Sequence, residues 1–252
     1  MNKDFSSLFK FKKIDDYLFD ILDNSEIFFS GHKLLNDPNE SVLRFMQQQE
    51  INNNSFKNIQ FDNPKYFTID NEFYFCMTRD KKSIPLWSYY GDNHKGVCLE
   101  FDFSSAIIQY IDHPDWPLKI ESEPYFPFIN NINYMKTLDS FTLAPNGDLN
   151  LSFEETVNFG FNKLNCWEHE KEVRIKIIDN FATSNNELKN GINWKIKKEW
   201  LKGIYFGLCT NEIDKQKIIS KAKSNNYSLN IYEGYNIIHD DKDFIIEYRK
   251  LL

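Results

Sequence analysis

Cysteine is sparse in this chain and never paired: Cys76, Cys98, Cys166 and Cys209 lie far apart, with no CxxC spacing. That excludes a dense disulfide framework and the paired-cysteine zinc signatures, and it reads as reduced, mostly buried thiols in a cytoplasmic protein. Glycine is thin as well, nine in 252 residues, and neither GxxxxGK nor GxGxxG occurs, so neither of those phosphate-binding loops is present. The five histidines form no HExxH, because His169-Glu170 lacks a second histidine one turn later, and nothing calls for a metal. No apolar run approaches the roughly 18 residues that a membrane span takes. The stretch Met1-Asn2-Lys3-Asp4-Phe5 lacks the apolar core of a secretory leader, so no membrane partner is expected. Positive charge is in deficit: 30 Lys and Arg against 37 Asp and Glu give a net charge of −7. That balance works against non-specific attraction to a phosphate backbone and leaves room only for a local basic patch.

What the chain does have is aromatic side chains: 23 Phe, 13 Tyr and 5 Trp within a 41% hydrophobic composition. Such a chain folds around a sizeable core. Leu8 to Lys12 alternates as a strand, and Ile14 to Leu22 is helical in pattern, with Leu18, Ile21 and Leu22 on one side. Glu26 to Ser30 is strand-like. Asn36-Asp37-Pro38 is turn chemistry, and Asn39 is placed to cap a helix through Val42, Leu43 and Phe45. A strand follows around Phe73 to Met77. Pro85 then opens a short helix, and Gly91 to Gly96 turns into a strand beginning at Val97. Four prolines, Pro114, Pro117, Pro124 and Pro127, break residues 103–150 into a loop-rich insertion. Phe153, Val157, Phe161 and Leu164 predict a helix from Ser152 to Leu164. Trp194 to Lys202 interleaves basic and aromatic residues; the pattern fits a solvated edge strand or turn better than a single-strand nucleic-acid surface. Gly203 to Gly207 reads as a buried strand, Asn211 caps a helix, and Tyr227 to Tyr232 and Phe244 to Tyr248 close the chain as strands. The irregular alternation of strands and helices, without a strict βαβ rhythm, predicts an α+β domain with a mostly antiparallel, split sheet and flanking helices.

The segment Cys166 to Ile178 carries the most chemistry. Val173, Ile175 and Ile177 alternate with Arg174 and Lys176, which is strand patterning. If that strand already runs through Glu170, then Glu170, Glu172 and Arg174 share one face. Two readings follow: a solvated face with an ordinary Glu–Arg pair, or a polar site beside Trp167.

Four segments together resemble the DUF2971 family of bacterial and phage proteins. They are Leu8-Phe9-Lys10-Phe11-Lys12 with Ile27-Phe28-Phe29-Ser30 and Asn36-Asp37-Pro38; Leu86-Trp87-Ser88-Tyr89-Tyr90-Gly91-Asp92-Asn93-His94-Lys95-Gly96-Val97-Cys98; Trp167-Glu168-His169-Glu170-Lys171-Glu172-Val173-Arg174; and Leu201-Lys202-Gly203-Ile204-Tyr205-Phe206-Gly207. Departures from the family's pattern are Lys12 for Arg, Tyr89 for His, Leu35 for Phe and Asn39 for Phe. The resemblance implies one such domain over residues 1–252, with the insertion at about 103–150. It turns Lys10, Ser30, Asn36, Asp37, Trp87, Tyr90, His94, Gly96, Glu170, Glu172 and Arg174 into motif positions.

A more distant resemblance, to the ADP-ribosyltransferases, rests on a basic residue on an early strand and on the Glu-x-Glu of Glu170 and Glu172. It implies a transferase that breaks the nicotinamide–ribose bond of NAD and passes ADP-ribose to a protein or nucleic-acid acceptor, in the setting of a toxin or phage-defence effector. In that chemistry Glu170 or Glu172 holds a ribose hydroxyl against an oxocarbenium-like state, with Arg174 in the same catalytic cluster. Lys10 or Arg174 pairs with the pyrophosphate, and Trp87 or Tyr90 stacks on a ring; Ser30, Asn36, Asp37 and His94 complete the expected binding positions. Two rivals stay open at this level. One is a metal-dependent nuclease using Asp37, Glu170 and Glu172 as oxygen ligands, and the other is a nucleotide- or peptide-binding module without turnover.

Overall fold

The structure, a computed structural model, describes residues 5–31, 34–37, 44–46, 72–105, 109–110, 125–136, 140–142, 158, 160–179, 190–238 and 244–252. The chain opens with β1 (Leu8–Lys12) and α1 (Asp16–Asn24). Asp15 caps α1 by accepting a bond from Leu18 N at 3.1 Å, and Ser25, in the left-handed region at φ 55°, ends it. Leu18, Ile21 and Leu22, spaced three and one apart, are buried. Next come β2 (Glu26–Gly31), β3 (Arg44–Met46) and β4 (Glu72–Thr78). Then α2 (Ile84–Tyr89) carries Pro85 in its first turn and leads into β5 (Val97–Phe101). Beyond these lie β6 (Gln109–Tyr110), β7 (Tyr125–Asn131), β8 (Asn133–Met135), β9 (Ser140–Thr142) and β10 (Asn162–Leu164). A 3-10 segment, Asn165–Glu170, precedes β11 (Glu172–Asp179) and β12 (Gly191–Lys195). The chain closes with β13 (Leu201–Phe206), α3 (Glu212–Ser224), β14 (Asn230–Ile238) and β15 (Phe244–Lys250).

One mixed sheet runs in the order β15-β14-β13-β5-β1-β4-β11-β7-β6, with β2 also on β4 and β12 on β2. Its described pairings are antiparallel except β13–β14, joined across α3, and β6–β7. β3 with β9, and β10 with β8, form separate parallel pairs.

Strand alternation sorts the side chains onto two faces. Leu8, Phe73, Phe75, Met77, Leu99, Phe101, Val173, Ile175, Ile177 and Ile204 meet α1 in the main core, where each fully buried large side chain contributes ~1.5–3 kcal/mol. The opposite face holds two smaller clusters. Phe9 and Phe11 pack with Leu86, Trp87, Cys98 and Tyr205, and Phe128 packs with Ile132, Phe161 and Ile178. Between those clusters the same alternation places Glu72, Tyr74, Cys76 and Thr78 of β4 beside Glu172, Arg174 and Lys176 of β11.

The sheet is split along one edge of β4. β1 pairs with β4 only at Phe9–Thr78, and β2 takes over at Ser30–Tyr74 and Gly31–Phe73. Between those points no described strand covers Phe75, Cys76 and Met77 on that side.

Three local expectations change. The helix predicted from Ser152 to Leu164 gives way at its end to β10, because Gly160 takes φ +86° and Asn162–Leu164 pairs with β8; residues 151–157 and 159 lie outside the described ones. Phe45, expected in a helix capped by Asn39, sits in β3, while Asn39, Val42 and Leu43 lie outside the described residues. Pro127, read as a breaker, lies inside β7. Among the described residues β6 pairs with Phe128 and Ile129, and none pairs with Pro127 on that side, where a missing N–H costs least. Pro114, Pro117 and Pro124 are outside the described residues. In the basic–aromatic stretch, Trp194 and Trp200 pack on each other and on the core, leaving no aromatic platform for a nucleic acid.

Candidate functional site

The split in the sheet opens into a cavity of about 220 Å³. That is below the roughly 300–1,000 Å³ of drug-sized ligand pockets and suits one end of a ligand, a single ring-sized group. Phe9, Phe11, Leu34, Leu35, Met77 and Leu86 give it an apolar wall. Its polar floor is formed by Thr78, Tyr90, Lys163, Glu170, Glu172 and Arg174. Lys10 and Ser30 line it from the two strands that part company.

Glu172, first residue of β11, is consumed by internal bonds. Its Oε1 accepts from Arg174 Nε at 2.9 Å and Nη2 at 2.7 Å, and its Oε2 accepts from Lys163 Nζ at 3.1 Å. Burial works to raise its carboxyl, but the Arg174 guanidinium and the Lys163 ammonium, helped by a bond from the Cys76 side chain, hold it down at about 2. The remaining Arg174 fork donates to Gly160 O at 2.7 Å, and the guanidinium lies over the Tyr74 ring at 5.1 Å. A Cβ on Gly160 would stand 2.6 Å from the Tyr74 hydroxyl, so this close approach requires glycine as much as the positive φ does.

Glu170 reaches the cavity by a different route from the one its spacing implies. β11 starts only at Glu172; Glu170 ends the 3-10 segment, and Lys171 turns the chain with φ 45°. Backbone turning, rather than strand alternation, sets Glu170 beside Glu172. Glu170 Oε2 accepts from Lys163 Nζ at 2.6 Å, and Oε1 accepts from the Tyr90 hydroxyl at 2.8 Å. Tyr90 in turn accepts from Asn36 Nδ2. Burial, then the Glu170 carboxylate, pushes the Tyr90 hydroxyl up, so it stays a neutral donor to Glu170. Thr78 Oγ1 donates to Glu170 O at 2.6 Å and fixes the turn.

Of the residues singled out in the sequence, Lys10, Ser30, Asn36, Tyr90, Glu170, Glu172 and Arg174 line this one cavity. Asp37 is buried but does not line it. Trp87 and His94 are elsewhere. The Trp87 indole is fully buried, donates to Lys81 O at 3.0 Å and Tyr248 Oη at 2.9 Å, and packs edge-on to Phe11. No ring face of it is open to a ligand. His94 stacks on Trp87 with ring centroids 5.8 Å apart, in a left-handed turn of Asp92, Asn93 and His94 (φ 50°, 51° and 65°). Burial pulls the His94 imidazole below its ordinary pKa. These two motif positions support α2, which presents Tyr90.

Helical spacing places Lys163 in the expected helix, but it bridges Glu170 and Glu172 from β10, itself buried and over the Trp167 ring at 4.8 Å. No local spacing signals that bridge. Among the described residues no group of three or more His, Cys, Asp or Glu is placed to hold a metal ion, and the Lys163 ammonium stands between the two carboxylates that a metal would share. No described helix is long and apolar enough to cross a membrane.

Residues 86–175 match the model of the DUF2971 family, described as a protein of unknown function. The match contains the segments Leu86 to Cys98 and Trp167 to Arg174; the two outer segments that resemble the family lie beyond it. No curated protein and no solved structure matches the chain. The likeness to ADP-ribosyltransferases is therefore carried by no match.

Proposed function

We propose that the cavity at the sheet split takes the reacting end of NAD and that the chain is an ADP-ribosyltransferase-like enzyme, with Glu170 as the carboxylate that meets the ribose. The observation that carries this reading is the division of labour between the two glutamates. Glu172 is spent as counter-ion to Arg174 and Lys163, whereas Glu170 stands at the cavity wall with one bond from the Lys163 ammonium and one from the Tyr90 hydroxyl. A carboxylate so placed accepts a ribose hydroxyl and favours the positive charge that grows as the nicotinamide bond breaks. The apolar wall suits the uncharged ring that departs, and Lys10 is the cation left for phosphate, since Arg174 is engaged inside. The acceptor is an unidentified protein or nucleic acid. The setting, a cytoplasmic toxin or phage-defence effector, comes from the family resemblance and from four free cysteines, not from the cavity.

A second reading is favoured by one fact: both Glu170 oxygens already accept a bond, from Tyr90 and from Lys163. A site so satisfied suits a module that binds a nucleotide without changing it. Release of nicotinamide from NAD by the purified protein, alone and with cell lysate, separates the two. Turnover that Glu170→Gln abolishes, with folding retained, supports the transferase. NAD that raises the melting temperature without nicotinamide release supports the binding module. Neither release nor a raised melting temperature overturns both.

A further inference from the structure

The bank of the split formed by β1 carries two lysines that the cavity floor does not neutralise. Lys10 and Lys12 alternate with Phe9 and Phe11, so they share the face of Leu8, toward α1 and opposite Glu172 and Arg174, with Cα positions about 7 Å apart; Lys10 lines the cavity and Lys12 follows it along the split. Lys10 Nζ lies over the Phe75 ring at 5.1 Å, and Lys12 Nζ lies over the Tyr17 ring of α1 at 5.4 Å. Both side chains are half-buried, and no described carboxylate stands within ion-pair distance of either. The charges facing Lys12 are Lys10 on its own strand, Lys13 and Asp15 on the next turn, and Asp20 on α1. Asp15 is occupied, as cap of α1 and as the partner of Lys13 at 3.8 Å.

Half-buried ammonium groups without counter-ions are costly, and folded proteins normally pair them. We infer that Lys10 and Lys12 together form a diphosphate-binding site along the split, holding the linked phosphates of a small nucleotide whose other end enters the cavity. Two phosphates joined through one oxygen span two such lysines with their outer oxygens, and charge-assisted bonds to each are the strong kind. The site is local in a chain of net charge −7, which argues for a compact anion rather than a polyanion. The burial of Lys12, followed by repulsion from Lys10, lowers its ammonium to about 8, and an anion seated on it would draw it back up. The inference takes from the reading above only that the ligand is a nucleotide; it does not require cleavage.

Titration calorimetry of the full chain tests it with pyrophosphate, ADP and adenosine at pH 8, in two buffers of different ionisation enthalpy. Pyrophosphate and ADP should bind with proton uptake, and adenosine should bind at least tenfold more weakly. Lys12→Met should weaken ADP about tenfold, the equivalent of one charge-assisted bond, and abolish the proton uptake. Lys13→Met, an exposed neighbour, should do neither. Equal ADP affinity in the wild type and Lys12→Met, or an equal loss in Lys13→Met, overturns the site. ADP binding that depends on Lys12 without nicotinamide release keeps this site and refutes the transferase. Nicotinamide release with an unchanged KM for NAD in Lys12→Met does the reverse.

Discussion

Arg174→Met is the substitution whose effect follows most directly from the structure. The guanidinium is buried, two of its N–H groups converge on one Glu172 oxygen at 2.7 and 2.9 Å, and a third donates to Gly160 O. Methionine keeps much of the stem and removes all three bonds, leaving Glu172 to Lys163 and Cys76. Breaking a buried ion pair from one side costs about 3–5 kcal/mol. The proton equilibrium gives a second estimate: Glu172 at about 2 against its ordinary 4.5 corresponds to about 3 kcal/mol, with Arg174 the larger of the two charges responsible. A loss of about 3 kcal/mol lowers the melting temperature by roughly 6–12 °C in a chain of this size. Urea unfolding followed by tryptophan fluorescence at pH 7 reads it, with Arg174→Met, Glu172→Gln and the double variant side by side. The double variant should lose less than the sum of the singles by about 2 kcal/mol, since each single leaves the other's charge buried. Because the folded pKa of Glu172 lies below its unfolded value, its contribution is full above about pH 4.5 and is lost as the pH falls toward 2. That decline should flatten in Arg174→Met. A loss under about 1 kcal/mol, or strictly additive singles, would refute the account of Glu172 as an internal counter-ion.

Other expectations follow from the same contacts. Gly160→Ala should destabilise by about 1–3 kcal/mol, because φ +86° and the Tyr74 hydroxyl both oppose a Cβ; thermal melting measures it. Trp87→Phe should cost about 2 kcal/mol in urea unfolding by removing the donor to Lys81 O and Tyr248, while leaving ADP affinity within twofold of the wild type. Lys12→Met should raise the melting temperature of the free protein. The folded pKa of Lys12, about 8, is below its unfolded 10.5, so its penalty is full below pH 8 and is relieved as the pH rises. The gain from Lys12→Met should therefore shrink between pH 8 and 10.5. Asp15→Ala should cost about 1 kcal/mol as a lost helix cap, read by the same melts.

Much of the secondary structure was legible because its signals are local. Period-two runs gave β1 and β11, the Leu18–Ile21–Leu22 spacing gave α1, and Pro85 marked the start of α2. Local signals misled where a partner decided the outcome. Asn162–Leu164 has helical spacing upstream but is a strand because β8 pairs with it, and Pro127 sits in β7 where no described residue takes a bond from it on the β6 side. Motif residues separated for the same reason. Trp87 lies in α2 and Tyr90, three residues on, caps its end, yet Tyr90 faces the cavity and Trp87 is sealed under Phe11 and His94.

By itself the sequence determined the face-by-face alternation that puts Glu172, Arg174 and Lys176 opposite the apolar core, since strand geometry allows no other arrangement once the apolar positions are buried. It also determined that Lys10 and Lys12 share a face. Only the tertiary structure decided that β1 and β2 would part along β4, that Lys163 would arrive from β10, and that a left-handed Lys171 would swing Glu170 beside its twin. Each of those depends on pairing between segments distant in the chain, and no residue spacing encodes a distant partner.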